Sequence, residues 1–226
     1  MSNFFYVAPE QLIKDRATFA QKGIARGRSI LASVYDVGVV MVAENTSASL
    51  NKISEVYDRI AFAGVGKYNE FDRLREAGIR WADSTGFTYS RDDVDARALA
   101  NYYAQHLGDM FSEGPKPLEV EILVAQLGNK FHQTKLYQIA YEGTISDEAH
   151  FAVLGGDAEA VKARYAALFS EPTSLDVTLR HAVSALGGPE RSIPANELEV
   201  GVLEDRGARR TFVRLHVGAI SEMLGA

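Results

Sequence analysis

The sequence predicts an α+β chain, a four-layer α-β-β-α sandwich of two antiparallel sheets with an N-terminal helical extension. Three observations predict it. Strands arrive in hairpin-linked groups, as in "SILASVYDVGVVMVAE" (29–44). Helices arrive in pairs with no strand between them, at 67–84 with 91–111 and at 157–169 with 174–186. Such an order cannot build an alternating βαβ sheet. Finally, "VVMV" (39–42) is apolar without interruption, the pattern of a strand covered on both faces.

Taken in order, "APEQLIKDRATFAQKG" places Pro9 at a first helical position, Glu10 in the first turn, and Lys22 before Gly23 at the stop. That spacing predicts a helix over 9–21 whose apolar stripe is Leu12, Ile13, Ala17, Phe19 and Ala20. From Lys14 to Arg28 five basic residues face Asp15 alone. The first hairpin turns at Asp36-Val37-Gly38, with Gly38 expected at positive φ. "NKISEVYD" (51–58) and "IAFAGVG" (60–66) form a second pair, then come the first two helices. Three strands follow at 118–128, 135–143 and 150–156, then the second helix pair. A last strand pair, "ELEVGVLED" (197–205) and "TFVRLHV" (211–217), precedes a short helix at 219–224. The stretch "GGPERSIPAN" (187–196) reads as a surface loop, and no 20–50-residue repeat appears. One domain spanning 1–226 is expected.

The 226 residues are 46% hydrophobic and 24% charged, an ordinary balance for a soluble globular chain. There is no cysteine, which excludes disulfides and thiolate metal sites and fits a reducing cytosol. A net charge of −6 argues against a nucleic-acid partner, and the apolar run 37–43 is too short for a membrane span. A cytoplasmic location is expected. The five histidines show no ligand spacing, so no metal or other cofactor is expected. "GVGKYNE" (64–70) lacks the third glycine of a dinucleotide fingerprint and the Gly-Lys-Ser/Thr of a P-loop; Gly64 and Gly66 fit a tight strand-to-helix turn better. In "LGGD" (154–157), Asp157 is the expected cap of the following helix. The basic cluster "RGARRTFVR" (206–214) punctuates a hairpin in an acidic chain and reads as a solvated face or a subunit contact.

The order of elements, with "PEQLIKDRATFAQKGIARGRS", "LNKISEVYDRI", "GVGKYNEFDRLREAGIRWAD", "LEVEILVA" and "LGG", resembles the α-type subunits of the bacterial, actinobacterial-type proteasome core particle. The resemblance runs from about Pro9 to Leu224, and the N-terminal helix with "KGIARGRS" is what separates α-type from β-type subunits. It implies the N-terminal-nucleophile hydrolase sandwich, divided here into a segment 1–8, a helix 9–22 and a sandwich 28–226. Active relatives begin at the first strand with threonine, whose hydroxyl attacks while its free amine serves as base. Here Arg28 takes that position, and a guanidinium can neither attack nor accept a proton. Ser29 lies one residue late, on the opposite face, and would serve only if cleavage after Arg28 freed its amine. A non-catalytic subunit is therefore expected, with a self-processing N-terminal-nucleophile peptidase as the rival.

What the resemblance further implies is an outer seven-membered ring of α subunits stacked on β subunits that carry the active threonines. Leu12 and Phe19 would contact the neighbouring α subunit. Ser2, Asn3, Phe4, Phe5, Tyr6, Val7 and Ala8 would converge on the ring axis as a gate for unfolded protein substrates. Glu44 and Lys52 match the acid and the lysine of active relatives; Glu44 reads best as half of a leftover ion pair or as a solvated side chain near a strand end. Lys52, with Gly27 beside it, would bind the C-terminal tails of a ring-shaped activator ATPase, in a pocket between neighbouring α subunits.

Overall fold

The computed structural model describes residues 8–128, 133–170, 173–207 and 210–225. Helix α1 (Pro9–Ile24) leads into strands β1 (Ile30–Tyr35), β2 (Gly38–Glu44), β3 (Ile53–Tyr57) and β4 (Ile60–Gly66). Helices α2 (Tyr68–Thr88) and α3 (Ala96–Ser112) follow, then β5 (Val120–Gln126), β6 (Lys135–Ile139), β7 (Ile145–Glu148) and β8 (Phe151–Leu154). Helices α4 (Ala158–Leu168) and α5 (Leu175–Gly187) precede β9 (Leu198–Glu204), β10 (Phe212–Arg214) and α6 (Val217–Leu224).

One five-stranded sheet has the order β10-β9-β2-β1-β8 and the other β3-β4-β5-β6-β7, with every neighbouring pair antiparallel. Alternation along each strand sorts the side chains between layers. Ile30, Ala32, Val34, Val39 and Met41 meet Ala61, Ala63, Val65, Leu123 and Ala125 in the core between the sheets. Phe62, Ile122 and Val124 face the opposite way and pack under Phe71, Leu74, Leu99 and Tyr103 of α2 and α3. Leu31, Val40, Val42 and Val202 pack against Val161, Leu179, Ala182 and Ile220 of α4, α5 and α6. The expected four layers are present, and every residue of β1 and β2 is buried.

Local differences have local reasons. The N-terminal helix runs three residues further, to Ile24, because Gly23 stays helical and Ala25 caps the end. The second block holds four strands. β7, "ISDE", is a polar edge strand paired only to β6, so its sequence carries no apolar alternation. Helix α3 starts at Ala96 behind a capping bond from Ala98 N–H to Asp95 (2.8 Å), and residues 91–93 form a separate 3-10 turn. Asp157 stands at the start of α4 but makes no side-chain cap there. Gly38 is not at positive φ; a β-carbon there would strike the Leu203 carbonyl on β9, so close strand approach accounts for it. Gly66 does sit at φ 104° and turns β4 into α2, a conformation that L side chains rarely adopt.

Candidate functional site

The sequence-predicted residues gather where the chain enters β1. Helix α1 is bound to its own chain along one side. Ala20 and Ile24 are buried, and Ile24 belongs to the core between the sheets. Arg16 donates to the carbonyls of Phe111 (2.6 Å), Met110 (2.9 Å) and Gly114 (2.9 Å), so it satisfies carbonyls that the end of α3 leaves unpaired. The other side is uncovered: Leu12, Ile13 and Phe19 are 53%, 55% and 45% exposed. Lys116 lies 5.7 Å from the Phe19 ring centre. Of the expected stripe, only Ala20 reaches the core. Ala8 is the exposed, extended residue before the helix, and Ser2 to Val7 lie outside the described residues.

Gly27 follows the helix, and a β-carbon on it would come within 2.7 Å of Val65 Cγ2 and 3.1 Å of the Gly66 nitrogen. Its glycine is thus demanded by the approach of β4. Arg28 projects into solvent, and its guanidinium lies 3.5 Å from Glu44 Oε1. Glu44, at the end of β2, is buried. Arg191 grips it two-handed, Nη1 to Oε1 at 2.7 Å and Nη2 to Oε2 at 2.8 Å. That charge-assisted fork, then Arg28 and Lys52, hold the Glu44 carboxyl below its usual pKa despite burial. Glu44 is thus neither solvated nor paired with Lys52 through its carboxylate; it is ion-paired inside the fold with a partner from the 187–196 loop. That loop is anchored, since Ile193 within it is buried.

Lys52, just before β3, is half-buried. Its Nζ donates to the main-chain carbonyl of Glu44 (2.9 Å) and to that of Arg28 (3.4 Å), tying the second sheet to the head of the first. An ammonium has three N–H donors, and two carbonyls occupy two of them. Burial lowers the Lys52 pKa; Glu199 and then Glu44 oppose that, and Arg28 adds to it. A polar pocket of about 360 Å³ opens beside this corner between Arg26, Gly27, Arg28, Glu44, Asp157 and Arg191. Ser29 Oγ would lie 3.2 Å from a β-carbon on Gly155, so the hydroxyl is packed against that turn. The head of β1 thus holds an arginine, a preceding peptide bond and a lysine bound to carbonyls, with no free amine.

The sequence pattern of the family described as "Proteasome subunit" matches residues 24–202. The chain belongs to the proteasome subunit family. Proteins named "Proteasome subunit alpha" are similar over its entire length. That of Acidimicrobium ferrooxidans is 59% identical, with 100% of this chain and 97% of the relative aligned. The one from a Nocardioides species is 51% identical over 100% of this chain and 90% of the relative, and that of Sanguibacter keddieii 49% over 100% and 91%. The family pattern begins at Ile24, whereas these alignments include helix α1.

Among the predicted residues, Gly27 and Lys52 share the corner with Glu44. Leu12 and Phe19 share the outer side of α1. Sequence reasoning missed Arg191 and Glu199. Arg191 sits in a loop with no motif to mark it. Glu199 did carry a signal, a charged residue inside the otherwise apolar run "LEVGV".

Proposed function

We propose that this chain is the non-catalytic α subunit of a proteasome core particle, which gates entry and receives an activator while β-type partners cleave. One observation carries the reading: the chain reaches β1 through a helix whose Ile24 is buried between the sheets. An N-terminal nucleophile needs a free amine at the head of that strand. Here freeing it would require removing a buried part of the core, and the residue exposed would be Arg28 or the packed Ser29. The self-processing rival has no support in this geometry. The uncovered Leu12–Ile13–Phe19 side suits a heterologous ring contact that closes by rotation, as in a ring of seven. Lys52 and the backbone at Gly27 supply a cationic corner for an activator's C-terminal carboxylate, in the cytoplasm.

Reconstitution with a cognate β-type subunit tests the reading. The mixture is expected to form stacked rings that hydrolyse peptides, the chain alone to be inert, and its mass to stay that of the uncleaved polypeptide. Cleavage ahead of residue 28 or 29 during assembly would overturn it. The gate is a separate expectation, resting on the aromatic "FFY" at 4–6. Deleting residues 2–8 is expected to raise the rate on long peptides several-fold, and an unchanged rate would remove the gate from the proposal.

A further inference from the structure

Glu199 is a buried carboxylate near the start of β9, 7% exposed, in a strand whose neighbours are apolar. Its oxygens collect four donors. Oε2 accepts from the main-chain N–H of Lys52 (2.9 Å) and from Asn45 Nδ2 (2.7 Å). Oε1 accepts from the main-chain N–H of Ile53 (3.1 Å) and from Arg214 Nη1. Arg214 Nη2 donates in turn to the Ile53 carbonyl (2.6 Å), and Asn45 Nδ2 also donates to the Leu50 carbonyl (2.7 Å). The segment from Asn45 to Ile53 is thereby fastened to β9. A buried ion of this kind is a poor way to gain stability, because an apolar contact of the same volume would join the sheets as well or better. What the ion does and an apolar contact could not do is fix the main chain on both sides of Lys52.

We infer that Glu199 is a positioning residue for Lys52: it clamps the main chain at residues 52 and 53 and stands as a negative charge behind the ammonium. The inference rests on the reading of Lys52 as the lysine that receives a carboxylate. The groups facing this lysine are Glu199 with its partner Arg214, Glu44 with its partner Arg191, and Arg28. Glu199 is the larger of the two acids' influences favouring the charged lysine, ahead of Glu44, while burial and Arg28 disfavour it. The exposed Leu50 lies two residues before Lys52 on the same fastened segment. The occupant that fits is therefore a chain end with a free carboxylate and an apolar side chain next to it.

The experiment uses particles assembled with the β-type partner and carrying Glu199→Gln, which keeps the size and removes the charge. Two readouts are taken. Reductive methylation of each lysine across a pH series, read by peptide mass spectrometry, reports how readily Lys52 gives up its proton. Fluorescence anisotropy reports the affinity of a labelled peptide ending in leucine with a free carboxylate, against the same peptide amidated. In Glu199→Gln the Lys52 methylation midpoint is expected to fall while other lysines keep theirs. The free-acid peptide is expected to bind about tenfold more weakly, the scale of one charge-assisted hydrogen bond. Adding Glu199→Gln to Lys52→Ala is expected to weaken binding no further than Lys52→Ala alone, which loss of general stability would not produce. An unchanged methylation profile, or additive losses in the double variant, would overturn the inference. Wild-type binding by Lys52→Ala would instead overturn the docking reading, and the methylation profile would still decide whether Glu199 governs the lysine. Should Glu199→Gln fail to assemble, Glu199→Asp keeps the charge and draws the carboxylate back from the main-chain N–H groups of Lys52 and Ile53. It is expected to shift both readouts in the same direction by less, and no shift in either would count as refutation.

Discussion

The corner around Lys52 and the outer side of α1 lie at opposite ends of one short stretch of chain and are built on opposite principles. At the corner, Glu44, Lys52 and Glu199 find their partners inside this polypeptide, down to the last carboxylate oxygen. Along α1, Leu12, Ile13 and Phe19 remain uncovered although the helix is firmly held through Arg16, Ala20 and Ile24. A fold that can satisfy three buried or half-buried charges could have rotated a helix to hide three apolar side chains. The first region is complete in one chain; the second leaves Leu12, Ile13 and Phe19 without cover from it.

The sharpest way to break that contrast is to put charge on the uncovered side. Leu12→Asp with Phe19→Asp is expected to abolish ring formation, measured by native mass spectrometry or sedimentation. Circular dichroism and cooperative melting should stay close to wild type, because neither side chain contributes to the chain's own core. Intact rings from the double variant would show that this side faces only solvent. Unfolded monomers would show that the helix is held more through Phe19 and Lys116 than through Arg16.

At the corner the same kind of insult is expected to act on folding. Arg191→Ala leaves Glu44 buried with Arg28 as its remaining guanidinium, at 3.5 Å. Removing one partner of a fully buried pair costs about 3–5 kcal/mol; here the removed arginine is itself half-exposed, so about 2 kcal/mol is expected in denaturant melts of the isolated subunit. The pH dependence has a definite sign. Glu44 has a lowered pKa, chiefly through its hydrogen bonds to Arg191. Its contribution is present above the ordinary carboxylate pKa and is lost as pH falls through the lowered, folded-state value. The gap between wild type and Arg191→Ala should therefore close in acid. A gap that stays constant down to low pH would mean the arginine acts by packing alone.

The two regions also differ in how far the sequence disclosed them. Helix 9–21 and its apolar stripe were legible because periodicity is a local signal, and the stripe residues at 12, 13 and 19 stand on the helix as the spacing places them. What the spacing could not say is which side of the stripe meets its own chain; Ala20 went inward and Phe19 stayed out because Arg16 ties the helix to α3. The layering was legible for the same reason, from paired helices and a doubly covered strand. β7 was not, since an edge strand with one neighbour needs no apolar face. At the corner, Lys52 and Glu44 came from a likeness of motifs, while Arg191 and Glu199 lie 147 residues beyond them in sequence. Their roles exist only once β9 and the loop before it lie beside β2 and β3. Non-local pairing leaves no trace in a local pattern.

The smallest expected effect sharpens the contrast most, because it asks whether the corner, complete by itself, is also poised for a visitor. Burial lowers the Lys52 pKa, so the folded chain holds that proton less tightly than the unfolded chain does. With more protons bound to the unfolded state, stability rises as pH climbs through the lowered value. Binding of a carboxylate should move the other way, since it needs the ammonium. Between about pH 7 and pH 11, affinity for a carboxylate-ended peptide is expected to fall several-fold, with a midpoint below that of an ordinary lysine, while the melting temperature does not fall in step. Lys52→Arg keeps its charge over that whole range, so any binding it retains should be flat with pH. Parallel loss of affinity and stability, or the same decline in Lys52→Arg, would mean that the visitor reads some other group and that the ammonium serves only to tie the two sheets together.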